Sequence, residues 1–209
     1  MALVKLNNRG VRSATAFGSI TGLGSMVFIK KQTASSSATI SFVDGTSDVV
    51  LDDTYKEYLF TFKNIHPETD LQKFGFNLSI DSGSNYNVAK TTTSFDAFNQ
   101  EAGSDQGLRY DGDNIDLAQG TGFQNLNYHL GNGNDSNLNG YLKLFNPSST
   151  TFVKHFMFTG NQYHQSDYSQ NNYVAGYFNT TSAIDEISFK FNSGNIDAGT
   201  FKLYGIKDS

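Results

Sequence analysis

Tyr55-Lys-Glu-Tyr-Leu-Phe-Thr-Phe-Lys-Asn64 and Phe74-Gly-Phe-Asn-Leu-Ser-Ile80 decide the class of fold. In the first stretch Tyr58, Phe60 and Phe62 point one way, while Glu57, Leu59, Thr61 and Lys63 point the other. Phe74, Phe76, Leu78 and Ile80 repeat the period of two in the second. Only an extended chain puts alternate residues on one face, so both read as strands with an aromatic side turned to a core. Working outward, residues 150–159 place Phe152, Phe156 and Phe158 on one face, with Lys154 the exception and His155 opposite. Ile187, Phe189 and Phe191 mark another strand, and Phe201 and Leu203 the last. Residues 26–31 read as a first strand. Residues 38–43 and 46–51 read as a hairpin, because Asp44-Gly45 accepts the positive φ of a type I′ turn. Residues 93–100 read as a short helix with Ser94 as its N-cap, and the rest of 95–122 as a long loop.

Composition agrees with strands. The 209 residues hold 18 Phe and 11 Tyr but no Trp, and Gly at 20 far exceeds Pro at 2. Aromatics fill a core at large area per residue, so a hydrophobic share of only 37% suffices. Short strands between Gly, Asn and Asp turns, with no long helical pattern, predict an all-β chain: an antiparallel β-sandwich, jelly-roll-like, over residues 26–209. A jelly roll of two four-stranded sheets is expected, with a concanavalin-like sandwich as its competitor. Residues 1–25 differ: Leu3, Leu6, Phe17 and Ile20 follow no period, with Arg9 and Arg12 among small residues. They read as an extended N-terminal arm that anchors the chain to a neighbour.

Only 17% of residues are charged and the net charge is −5, so no basic surface offers itself to nucleic acid. No apolar run is long enough for membrane insertion, and the N-terminus lacks the apolar stretch of a signal peptide. There is no Cys, hence no disulfide, thiolate ligand or thiol nucleophile. His66, His129, His155 and His164 show no metal-ligand spacing. Asp111, Asp113 and Asp116 alternate as calcium ligands do. The EF-hand pattern fails there, since Asp116 stands where Gly is required and Gly122 where Glu is required. No cofactor is expected. Nucleophile-elbow, P-loop and zincin motifs are absent. A polysaccharide-degrading enzyme would need a carboxylate pair, for which Glu57, Glu68, Asp96, Glu101 and Asp167 are unspecific candidates. The stretch 161–173 mixes Tyr163, His164, Asp167, Tyr168 and Tyr173 with amides and hydroxyls. This is the composition of a glycan-binding loop or, preferentially, of a subunit interface.

The run Ile184-Asp-Glu-Ile-Ser-Phe-Lys-Phe-Asn-Ser-Gly194-Asn195-Ile196-Asp-Ala-Gly199-Thr-Phe-Lys-Leu-Tyr204-Gly205-Ile206 resembles the end of many bacteriophage virion proteins, marine phages especially. These close on a strand, a Ser-Gly-Asn turn, a second Gly and a last strand ending Leu-Tyr-Gly-Ile, read here as a hairpin. Leu6-Asn-Asn-Arg-Gly-Val-Arg-Ser-Ala14 looks like the leader of such proteins. The resemblance implies a non-enzymatic structural component of the virion: a capsid decoration, head fibre or tail component, made in the host cytoplasm. Its partners would be other virion proteins and copies of itself. A receptor- or glycan-binding module of the tail, meeting a host surface glycan, is the alternative.

Overall fold

The computed structural model describes residues 25–110 and 115–208. The proposed arm, apart from Ser25, therefore lies outside the described residues. Twelve strands form among them: β1 (Met26–Ser37), β2 (Ile40–Val43), β3 (Glu57–Pro67), β4 (Phe74–Ser79), β5 (Lys90–Gln100) and β6 (Gln106–Tyr110), followed by β7 (Gln124–Asn125), β8 (Leu138–Phe145), β9 (Lys154–His164), β10 (Tyr168–Phe178), β11 (Glu186–Phe191) and β12 (Ile196–Ile206). All pairings are antiparallel. One sheet runs β1-β12-β3-β8-β9-β10-β5-β6 and the other β2-β11-β4-β7.

The protein is an all-β sandwich of jelly-roll topology. Setting aside β5, β6, β9 and β10 leaves two four-stranded sheets, β1-β12-β3-β8 and β2-β11-β4-β7, whose chain alternates between layers as a jelly roll requires. The two remaining hairpins are insertions, β5–β6 after β4 and β9–β10 after β8. Both join the first sheet beyond β8 and double its width, which corrects the expectation of two four-stranded sheets.

Burial follows the period of two in β3, while β4 is buried on both faces. Tyr58, Phe60 and Phe62 of β3 are all buried, as are Phe74, Phe76 and Leu78 of β4. Phe189 of β11 sits among Phe60, Phe62, Phe74 and Phe201, at ring-centroid distances of 5.6, 5.2, 5.9 and 5.7 Å. Rings at these spacings and tilts add to the transfer energy of the area they bury. Ile80 does not continue the pattern: β4 stops at Ser79 and Ile80 is 40% exposed.

Four further expectations are corrected. Asp44-Gly45 does turn, with Gly45 at φ 71°, but residues 46–51 form no strand. The Asp44 carboxylate takes the Leu51 amide (2.8 Å), and β2 pairs with β11 instead. Residues 93–100 are strand, not helix. Thr91, Thr92 and Thr93 favour extension, and the inward residues are polar (Lys90, Thr92, Ser94, Asp96), an inversion that hides the alternation. Phe152 lies before β9, 68% exposed, in a turn whose Thr151 and Phe152 amides bond Ser149 Oγ. Lys154 is the inward residue there. Finally, β11 and β12 are no hairpin: the Ser193-Gly194-Asn195 turn crosses from one sheet to the other. Gly199 serves a bulge in β12 at φ 149°, where a Cβ would fall 2.6 Å from Ile65 Cδ1.

Lys90 and Lys154 flank Phe178 in register, both fully buried. Their ammonium groups tie loops down by donating to carbonyls, Lys90 to Gly122 O (2.5 Å) and Lys154 to Phe152 O (2.8 Å). Burial lowers the Lys90 ammonium to about 8 from the ordinary 10.5. Between those values the unfolded chain holds a proton that the folded chain does not, so the Lys90 contribution makes stability rise with pH across that window. Above about pH 10 the Tyr86 hydroxyl, pushed up to about 12 by burial and by its bond to Glu186, works the other way. Urea midpoints measured from pH 8 to 10 should climb, and Lys90→Met should flatten the climb; an unchanged slope in that variant contradicts the assignment. Phe189→Ala should cost about 3–5 kcal/mol and lower Tm by on the order of 10 °C, read by calorimetry.

Candidate functional site

The insertions create two surfaces, one on each side of the widened sheet. On the outer side, register puts Tyr141, Thr159, Tyr173, Phe95 and Tyr110 in one row across β8, β9, β10, β5 and β6. A second row runs Phe28, Tyr204, Leu59, Lys143, Met157 and Ala175. Phe95 and Tyr173 stack at 4.7 Å and 12°, and Phe28 meets Tyr204 edge-on at 5.7 Å. Phe28, Phe95, Tyr110 and Met157 are 55%, 46%, 63% and 55% exposed, so these rings are left to solvent rather than to a second layer. The first row ends at β6, an edge strand with every residue exposed and Leu108 at 72%, and the second starts at the opposite edge, β1. Lys143 carries an ion pair to Glu57 (2.7 Å) within the face. A shallow groove of ≈ 600 Å³ runs between His155, Met157, Ala175 and Tyr177.

The inner side is polar because the second sheet is too narrow to cover it. The Phe74 amide donates to Asn127 Oδ1, Asn127 Nδ2 to Gln162 Oε1 (2.6 Å), and Gln162 Nε2 to Gln170 Oε1 (2.8 Å). Gln170 Nε2 then donates to Asp96 Oδ2 (2.6 Å). Every side chain of this relay is buried. At its end Asp96 Oδ1 accepts Arg109 Nε (2.7 Å), the Asp96 side chain 2% and the Arg109 side chain 42% exposed. The Arg109 guanidinium lies over the rings of Phe98 (5.0 Å) and Tyr128 (4.9 Å), so ion pair and ring faces together fix its plane.

Around Arg109 opens a cleft of ≈ 330 Å³, whose wall is built from Tyr128, His129, His164 and Tyr168, with Asp105 and Ser166 at the rim. His164 lies parallel to Tyr128 (6.5 Å, 13°) and edge-on to Tyr168 (5.5 Å, 83°), and the His129 and His164 rings are 6.2 Å apart. The Ser166 amide donates to His164 Nδ1 (3.1 Å), which leaves the neutral ring's proton on Nε2. Burial, then the neighbouring His129 and Arg109, holds the His164 pKa below the ordinary value. Tyr168 Oη donates to Asp105 Oδ2 (3.0 Å), a bond that raises the tyrosine's pKa.

The stretch 161–173 is thus no loop but the tip of the β9–β10 hairpin, and its residues part company. His164 and Tyr168 line the cleft. Tyr163 and Asp167 bond each other (2.7 Å) in an exposed pair, which pushes the Tyr163 hydroxyl up to about 12, while Tyr173 belongs to the outer row. Asp111 and Asp113 lie outside the described residues, and Asp116 accepts the Tyr110 hydroxyl (3.1 Å). The assembly residues Leu3, Leu6, Arg9, Arg12, Phe17 and Ile20 also lie outside them. Of the generic carboxylates, Glu57 contacts Lys143, Glu68 the Asn195 amide (2.8 Å) and Asp96 Arg109, while Asp167 bonds Tyr163 and its carbonyl accepts the Glu101 amide (2.9 Å), which makes Glu101 and Asp167 neighbours. Among the described residues no group of three or more His, Asp or Glu could hold a metal ion.

Sequence reasoning missed Arg109, Tyr128 and Gln170, and named Asp96 only as an unspecific carboxylate. A signal existed, since Gln162 and His164, like Tyr168, Gln170 and Asn172, sit two apart as strand neighbours do. Scans against family models, curated proteins and solved structures found no match to the chain. Asp96→Ala removes the buried carboxylate that accepts from Arg109 and from the Gln170 amide, although the partly exposed Arg109 side chain meets water. The loss should be about 2 kcal/mol in urea unfolding, and a loss below about 0.5 kcal/mol would show the relay to be energetically idle.

Proposed function

We propose that this chain is a structural component of a bacteriophage virion, a capsid decoration, head fibre or tail component. The arm of residues 1–25 attaches it, and the outer face of the eight-stranded sheet packs against copies of itself or neighbouring virion proteins. The observation that carries the packing role is the aligned aromatic rows on that face. Isolated exposed rings are ordinary, but rings in register across several strands form a contiguous patch, and such patches mark association surfaces. The charges of the face gather at the β1–β12–β3 end (Lys31, Lys63, Lys202) and Lys143 is paired with Glu57, so the β9–β10–β5–β6 half, bounded by an open strand edge, can meet a second copy without burying unpaired ions. The virion context rests on the carboxy-terminal resemblance, and the jelly-roll topology is compatible with it.

The experiment is a paired one on the full chain. Met157→Glu with Tyr173→Glu, both outward-facing and remote from the phenylalanine core, should shift light-scattering mass from oligomer to monomer. The same double variant should reduce incorporation into particles by roughly tenfold or more. A chain that is monomeric before mutation, or a variant that assembles and incorporates normally, overturns the packing role. Deleting residues 1–25 should abolish incorporation without changing Tm; normal incorporation would remove the anchoring role.

A further inference from the structure

We propose that the cleft around Arg109 is a binding site for a neutral, hydroxyl-rich ligand, a saccharide of one or two rings. The inference goes beyond assembly, because the cleft opens on the opposite side of the sheet from the aromatic rows.

Most of its lining comes from the two insertions, with Tyr128 and His129 added from the segment between β7 and β8. Phe98, Asp105 and Arg109 belong to the β5–β6 hairpin; His164, Ser166, Tyr168 and Gln170 belong to β9–β10. The eight-stranded roll closes without either, so the cleft is an addition to a complete fold rather than a gap left by its packing. A volume of ≈ 330 Å³ is at the small end of ligand sites, and suits a sugar ring better than a peptide.

The lining has the two kinds of surface a saccharide presents. His164 and Tyr168 offer ring faces and edges to the C–H side of a sugar, while Asp105, Ser166, Gln165 and Arg109 offer acceptors and donors to its hydroxyls. The polar groups are pre-placed. Asp105 is oriented by the Tyr168 hydroxyl, His164 by the Ser166 amide, and Arg109 by a carboxylate anchored through three buried amides. Such rigidity lowers the ordering cost of binding. Charge selects the class further. Asp96 matches Arg109, Asp105 stands at the rim against Lys73, whose Nζ lies 4.9 Å from the Tyr128 ring centroid, and burial disfavours the charged form of His164, so the charges near the cleft balance. A phosphate or a uronic acid would meet Asp105 at the rim; a neutral sugar would use it as an acceptor.

The test is an array of neutral, amino, uronic and sialylated oligosaccharides probed with the full chain, followed by calorimetry on the best neutral probe. Binding of neutral glycans is expected, weakened roughly tenfold or more by Asp105→Ala, whose side chain is exposed and whose loss should leave Tm unchanged. Tyr168→Phe keeps the ring and removes the hydroxyl that orients Asp105, so it should weaken binding less than Asp105→Ala while folding normally. No binding to any neutral glycan overturns the proposal. So does exclusive binding of acidic glycans, or neutral binding indifferent to both substitutions. None of these results touches the assembly reading, which the oligomeric state decides separately.

Discussion

The relay from the Phe74 amide to Asp96 is the interaction on which the widened sheet of this molecule depends. A jelly roll of eight strands hides both inner faces, but here one sheet has been widened to eight strands while its partner stays at four. The strands beyond the partner's edge must cover their inner face with something. A hydrophobic answer would need more core; this chain uses amides, each accepting from one neighbour and donating to the next, down to a carboxylate matched by Arg109. Full satisfaction is the condition for burying such a chain of polar groups, and one missing member would strand the others.

Two surfaces follow from that solution. Because the inner side is held by hydrogen bonds rather than by a second apolar layer, it leaves a polar cleft lined with rings. Because the same strands alternate strictly, the outward residues of β9, β10 and β5 fall into the rows that Tyr173, Phe95 and Met157 occupy. The insertions therefore supply both the flat face proposed for packing and the concave site proposed for a saccharide. The roll supplies the rigid aromatic core that holds them.

The sequence disclosed most clearly the strands whose apolar residues face inward. Tyr58, Phe60, Phe62, Phe74, Phe76, Ile187, Phe189, Phe191, Phe201 and Leu203 all lie where period-two alternation put them. It concealed strands of inverted polarity: β5 buries Lys90, Thr92, Ser94 and Asp96 and exposes Phe95, so it read as helix and loop. The β9–β10 tip was hidden for the same reason, since Gln162 and Gln170 are buried amides that resemble loop residues. Pairing partners were not legible at all. Nothing local in residues 184–206 says that the turn at Gly194 changes sheets, because that depends on β2, β4, β1 and β3 elsewhere in the chain.

Hydrogen exchange on the full chain, at dilute and at assembly-competent concentrations, tests the central claim most directly. β6 is the exposed edge at which the Tyr141–Tyr110 row ends, and its amides should exchange fast when the chain is dilute. If the outer face packs against copies of itself, residues 106–110 should become strongly protected on assembly, together with the amides flanking Phe28 at the opposite edge. Unchanged exchange at 106–110 in a demonstrably assembled sample would contradict the account, and would place the contact elsewhere on the molecule.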